Sequence, residues 1–261
     1  MDTGISRNES EFPIYKICIT GGPCAGKTTS IEEIKEIFCN RGYRVLVCPE
    51  IPTMIVLSGG MILMGGLTVD QRIHFQSLLI KLQIYIEDYF TKLALMSKMP
   101  AIILCDRGTM DPYAYVTPDE FQAILDEEGW NIVNLRDKRY DCVVFLVSAA
   151  DGAEDYYTLA NNVARSEGLD QARELDKKTQ IAWNGHPHLT IVPNLRTETF
   201  KQKIQTAVNA VEKCLGLSES RFDTKYLVLG SNHFFYVSRL PSRSQAIGLR
   251  SGRNFPVEQQ S

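Results

Sequence analysis

The stretch ICITGGPCAGKTTS, residues 17–30, sets a β-branched apolar run directly before three glycines, a lysine and two hydroxyl residues. Its core, Gly21-x-x-x-x-Gly26-Lys27-Thr28, matches the Walker A pattern, and its context matches too: an apolar strand before it and an amphipathic helix after it. Glycines let the backbone wrap so that successive N–H groups point inward at phosphate oxygens, and the following helix start adds unpaired donors and the positive end of a dipole. The nucleotide-binding segment is therefore read as Gly21, Gly22, Pro23, Cys24, Ala25, Gly26, Lys27, Thr28 and Thr29. Lys27 is expected between the outer two phosphates, and Thr28 is expected to offer its hydroxyl to Mg2+. A glycine-rich turn that binds nothing is the competing reading. The motif specifies a nucleoside triphosphate, GTP or ATP, but not its fate.

Working outward, strands and helices alternate. Residues 15–20, 44–50, 101–106, 141–147 and 189–194 read as strands. A helix follows the phosphate loop through Ile31, Ile34, Ile37 and Phe38 and stops at Gly42. Residues 52–68 read as irregular or partly helical, and a long helical pattern runs from Val69 to Met96. Thr117-Pro118 with Glu120 predicts a capped helix start. Helical segments are expected over roughly 153–182 and over 197–216. This alternation predicts an α/β P-loop fold, a five-stranded parallel sheet sandwiched by helices. The expected boundaries are a flexible N-terminus at 1–13, the P-loop domain at 14–217 and a mostly disordered tail at 218–261.

Composition narrows the class. The 261-residue chain has a net charge of −3, which argues against a basic nucleic-acid-binding surface. The charge is uneven, with +4 beyond residue 220 and −7 before it. Seven scattered cysteines without CxxC pairs are expected to be reduced thiols of a cytoplasmic protein. The most apolar stretch, 54–67, is short and broken by four glycines, so no transmembrane segment is expected.

Other residues carry chemistry at strand ends. Asp106 closes an apolar strand, where a Walker B carboxylate holds Mg2+, and Arg107 follows it, placed to steady a phosphate or an acceptor. Glu50 lies at the end of the second strand; it is read either as a base or water-orienting carboxylate or as a surface glutamate before a turn. Arg165 is read as a lid arginine closing over phosphates, whereas Arg173 is read as one member of a charged helix face. His186 and His188 are read as packing and hydrogen-bonding groups near the lid hinge. Asn194, at the end of the fifth strand, is a candidate for a base-edge contact. Lys27, Asp106, Glu50, Arg107 and Arg165 form the candidate catalytic set, with Thr28 and Asp106 for the metal.

Taken in order, GGPCAGKTT, CPEIPT, CDRGTMDPYAY, VARSEGLDQAREL, WNGHPHLTIVPN and TFKQKI resemble the TRPL translocation defect protein family. The resemblance covers about residues 15 to 215. It implies an AAA-type P-loop domain with a nucleotide-kinase-like sheet, GTP binding, a link to phosphoinositides or phosphatidic acid, and a role in ion-channel trafficking. It also implies a following CYTH domain, of which residues 218–261 would be a truncated start. Two activities follow as expectations: a slow Mg2+-dependent GTPase, cytoplasmic and peripheral at anionic membranes, or a small-molecule kinase with Glu50 as base and Arg107 and Arg165 as clamps. A third is a lipid-binding adaptor whose nucleotide is structural.

Overall fold

Strand β1 (Ile14–Thr20) enters the phosphate loop, and helix α1 (Lys27–Asn40) leaves it. The structure, a computed structural model, describes residues 12–60, 66–157, 168–195 and 199–217. Strand β2 (Arg44–Cys48), helices α2 (Ile51–Leu57) and α3 (Val69–Met96), and strand β3 (Ala101–Asp106) follow. A 3-10 turn (Asp111–Tyr115) leads to α4 (Pro118–Glu128) and then β4 (Cys142–Leu146). Helix α5 (Leu169–Trp183), β5 (Leu189–Val192) and α6 (Phe200–Cys214) complete the order. The sheet is five-stranded, parallel throughout, in the order β2-β3-β1-β4-β5. The α/β class expected from the alternation is what the chain adopts.

The strands are near-continuous apolar runs because both faces of the sheet are covered. On one face α1 and α6 bring Ile31, Ile34, Phe38, Val208 and Val211 onto Ile17, Ile19, Val144 and Leu146. On the other, Ile80, Phe121, Ile124 and Trp183 pack on Cys18, Ile103, Cys105 and Val143. Adjacent strand residues thus serve opposite cores, as the period of two requires. Each fully buried large apolar side chain contributes about 1.5–3 kcal/mol.

Several local signals act as read. Thr117 and Glu120 form a reciprocal capping box with Pro118 in the first turn of α4. The long helix spans Val69–Met96 and is capped by Thr68 and Gln71. Three strands are shorter than expected, β4 by one residue at each end. β2 stops at Cys48 because Pro49 follows, which turns Glu50 into the N-cap of α2; β5 stops at Val192, before Pro193. Over 153–182 the described helices are a short 3-10 turn at Glu154–Tyr156 and α5. The expected flexible N-terminus and the tail at 218–261 lie almost wholly outside the described residues.

Candidate functional site

The site lies at the carboxyl ends of the strands, beside central β1, where an open parallel sheet offers its ligand crevice. β1 pairs directly with β3, and Ile19 stands opposite Asp106, so the phosphate loop and the strand-end carboxylate emerge side by side. Gly21 adopts φ 135°, and a Cβ there would lie 1.9 Å from the Leu146 carbonyl oxygen. Gly26 adopts φ 90° as N-cap of α1, where a Cβ would lie 2.7 Å from the Phe200 ring. Only glycine fits both positions.

The loop is braced from behind. Asp176, on α5, accepts from the Gly22 N–H at 2.7 Å and the Ser148 N–H at 3.1 Å through one oxygen. The Ser148 hydroxyl donates to the Pro23 carbonyl at 2.5 Å. Pro23 has no N–H to give a phosphate, so its contribution is to the shape of the loop. Cys24 is half-buried at φ 55°, and Thr28 and Thr29 are exposed in the first turn of α1.

Lys27 is buried, and its ammonium donates to the carbonyls of Gly21 and Gly22 at 3.1 and 2.9 Å. Burial, with Arg107 adding like-charge repulsion, pushes its pKa down to about 8 against the pull of nearby carboxylates. Asp106 moves the other way. Burial raises its carboxyl to about 6, and its Oδ1 is buried without a hydrogen-bond partner. Unpaired buried polar atoms are rare, and each needs a physical reason. An oxygen of this kind fits a hard cation, which takes carboxylate, hydroxyl and phosphate oxygens.

Arg107 adopts φ 70°, in the left-handed region. Its Nε donates to Glu50, and its Nη1 to the Gly21 carbonyl at 3.3 Å and Asp111 Oδ1 at 3.2 Å. Thr53 donates to the second Glu50 oxygen at 2.6 Å. Burial alone would raise the Glu50 carboxyl, but Arg107 and Lys27 outweigh it and hold the pKa at about 2. Glu50 is thus a paired carboxylate inside the site and not a surface glutamate.

Asp111 is a hub that strand patterning does not single out. It accepts from Thr20 Oγ1 at 2.5 Å, the Gly108 N–H at 2.8 Å and Trp183 Nε1 at 3.2 Å, besides Arg107. Asp176 and Lys203 are likewise singled out by no chemical motif in the sequence. Lys203 donates to the Val147 carbonyl and to Asn194 Oδ1, each at 2.7 Å, and burial lowers its pKa to about 8.

The remaining sequence candidates divide. Asn194 gives its amide hydrogens to the carbonyls of Ser148 and Asp151, both at 2.7 Å, while its oxygen takes Lys203. A base-edge contact by Asn194 would have to break these bonds. Arg173 pairs with Glu154 and Asp170 at 3.0 Å and donates to the Ala150 carbonyl at 2.6 Å, in keeping with a charged helix face. His186 Nε2 donates to the Tyr140 carbonyl at 3.0 Å, while Nδ1 accepts the His188 N–H at 3.1 Å. Arg165 lies outside the described residues. Among the described residues no helix is long and apolar enough to cross a membrane.

No curated protein sequence matches this chain. The profile of the AAA domain does match, over residues 16–202, a span that takes in the phosphate loop, Glu50, the Asp106–Asp111 turn and the start of α6. With that match, and a phosphate loop set between β1 and α1 at the rim of a parallel sheet, the chain belongs to the AAA domain family of nucleotide-binding P-loop NTPases.

Proposed function

We propose that this chain is a Mg2+-dependent GTP-binding protein that hydrolyses its nucleotide slowly. The observation that carries the reading is the pair of opposed, strained charges at the rim. Lys27 is depressed to about 8, and Asp106 is raised to about 6 with a partnerless buried oxygen. Both shifts are relieved by one ligand, a triphosphate bringing negative charge to Lys27 and a cation to Asp106. Thr28 and Asp106 would hold Mg2+, which when bound neutralises phosphate charge. Lys27 binds the outer phosphates, and the α1 N-terminus orients them.

Slow turnover follows from Glu50. A carboxylate held at about 2 by Arg107 is a weak proton acceptor, so water is oriented more than activated. The same contact supports a second reading, a small-molecule kinase in which an acceptor hydroxyl displaces Arg107 from Glu50, freeing a base and a phosphate clamp together. The preference for GTP, the role in membrane-protein trafficking, Arg165 as a lid residue and contact with phosphoinositides or phosphatidic acid rest on the likeness to the TRPL translocation defect family. The basic tail adds to the lipid part, at about 1 kcal/mol for each Lys or Arg near an anionic surface.

The test is titration of the full chain with GTP and ATP, with and without Mg2+, followed by turnover assays with and without nucleoside-type acceptors. The expected result is GTP binding that Mg2+ tightens, with slow acceptor-independent phosphate release. Equal binding of ATP removes the GTP preference. Acceptor-dependent turnover selects the kinase, and failure of both nucleotides to bind removes the reading.

A further inference from the structure

We propose that Phe200 forms a nucleobase subsite, an aromatic platform on which the base of the bound nucleotide stacks. The inference rests on the phosphate-loop reading above and adds the part of the ligand that the loop does not hold.

Phe200 is the first residue of α6 and is 53% exposed. The ring is not stray. A Cβ built on Gly26 would lie 2.7 Å from Phe200 Cε2 and 3.0 Å from Cζ, so the ring edge rests on the last glycine of the phosphate loop. The start of α6 is held by a capping box, in which Thr199 accepts from the Gln202 N–H and Gln202 accepts from the Thr199 N–H at 2.7 Å. One turn later, Lys203 ties the same helix to the Val147 carbonyl and Asn194. A half-exposed aromatic on an anchored helix start therefore stands against the phosphate cradle.

A nucleotide whose phosphates sit on the Gly26–Thr29 N–H groups must place its base within one nucleotide's length of Gly26. Asn194 has its amide engaged in the loop framework, whereas Phe200 presents apolar surface that a base would cover. A ring face stacks on any base, because every base has a π-face. The subsite therefore discriminates nucleotides from inorganic polyphosphates and contributes affinity without choosing guanine over adenine. Stacking of this kind is lost on alanine substitution at about 5- to 150-fold in affinity.

The experiment compares wild type, Phe200→Ala, Phe200→Trp and Lys27→Ala in the full chain. Each is titrated with the preferred nucleoside triphosphate and with inorganic tripolyphosphate, in the presence of Mg2+, and melted to confirm folding. Phe200→Ala is expected to weaken nucleotide binding within the stated range while leaving tripolyphosphate binding within about twofold. Phe200→Trp is expected to restore nucleotide binding, and Lys27→Ala to weaken both ligands. Equal loss of both ligands in Phe200→Ala would show that the ring only shapes the phosphate loop, and the subsite would be wrong. Unchanged nucleotide binding in Phe200→Ala would also overturn it. If wild type binds neither ligand, the phosphate-loop reading fails, and the subsite falls with it.

Discussion

The two ends of the central strand β1 handle buried charge in opposite ways. At the amino end, Lys16 and Arg139 surround Glu87, which is fully buried on α3. Glu87 accepts from Arg139 Nε at 2.5 Å, the Tyr140 hydroxyl at 2.6 Å and the Gln83 amide at 2.8 Å, with the Lys16 ammonium 3.6 Å away. Arg139 also meets Asp88 at 2.9 Å and the Ile84 carbonyl at 3.0 Å. Burial would raise the Glu87 carboxyl, but Arg139 and Lys16 reverse this and hold it below its ordinary range. At the carboxyl end, Lys27 makes do with two loop carbonyls, and one Asp106 oxygen has no partner. Satisfied charge at one end ties α3 to β1 and to the residues just before β4; unsatisfied charge at the other is what a ligand can satisfy. Gln83 touches both systems, donating to Glu87 and, at 3.4 Å, to the Arg107 carbonyl.

The contrast breaks most sharply at Glu87. Glu87→Ala strands Arg139 and Lys16, and loss of one member of a buried ion network costs about 3–5 kcal/mol. We expect a large fall in melting temperature, with nucleotide affinity preserved where the variant is still folded. A variant that melts like wild type would show that the amino-end network contributes little. Lys27→Ala should do the reverse. It removes a charge-assisted contact of about 1.5–3 kcal/mol to the outer phosphates, so triphosphate affinity should drop about 10- to 150-fold, monophosphate affinity should barely change, and melting of the free protein should not fall. Equal losses for both ligands would detach Lys27 from the outer phosphates.

Asp106 sharpens the comparison through pH. Its carboxyl is raised in the fold, so its contribution to stability is present below the ordinary carboxyl range and lost as pH rises through about 6. Mg2+ binding needs the ionised form, so it gains as that contribution is lost. Stabilisation by Mg2+ with nucleotide should therefore be weaker at about pH 5 than at about pH 7.5. Asp106→Asn should flatten that difference; a variant responding to Mg2+ and pH like wild type would reduce Asp106 to a strand-end residue. The smallest effect is expected at Arg173, whose partners are largely exposed. Arg173→Ala should change stability by about 0–1 kcal/mol and leave nucleotide binding unaltered. A tenfold loss of nucleotide affinity would instead draw Arg173 into the site.

Most of the framework was legible in the residues because its signals are local. Apolar runs bounded by glycine and proline mark the strands, the Thr117–Glu120 box starts α4, and the Walker A pattern predicts the turn between β1 and α1. Strand ends were over-read where Pro49 and Pro193 remove ladder donors, which made Glu50 a helix cap. The partners of the site residues were not legible. Asp176 reaches Gly22 across 154 positions and Asp111 reaches Thr20 across 91, and no spacing rule covers such separations.

By itself, then, the sequence determined that this is an α/β P-loop chain with a phosphate cradle at Gly21–Thr29 and a carboxylate at the end of the third strand, since these depend on neighbours a few residues apart. Only the tertiary structure decided the electrostatic state of those groups. Whether a lysine is depressed, a carboxylate left without a partner, an asparagine already engaged or a phenylalanine exposed against the loop depends on which distant segments the sheet brings together, and on how much water they exclude.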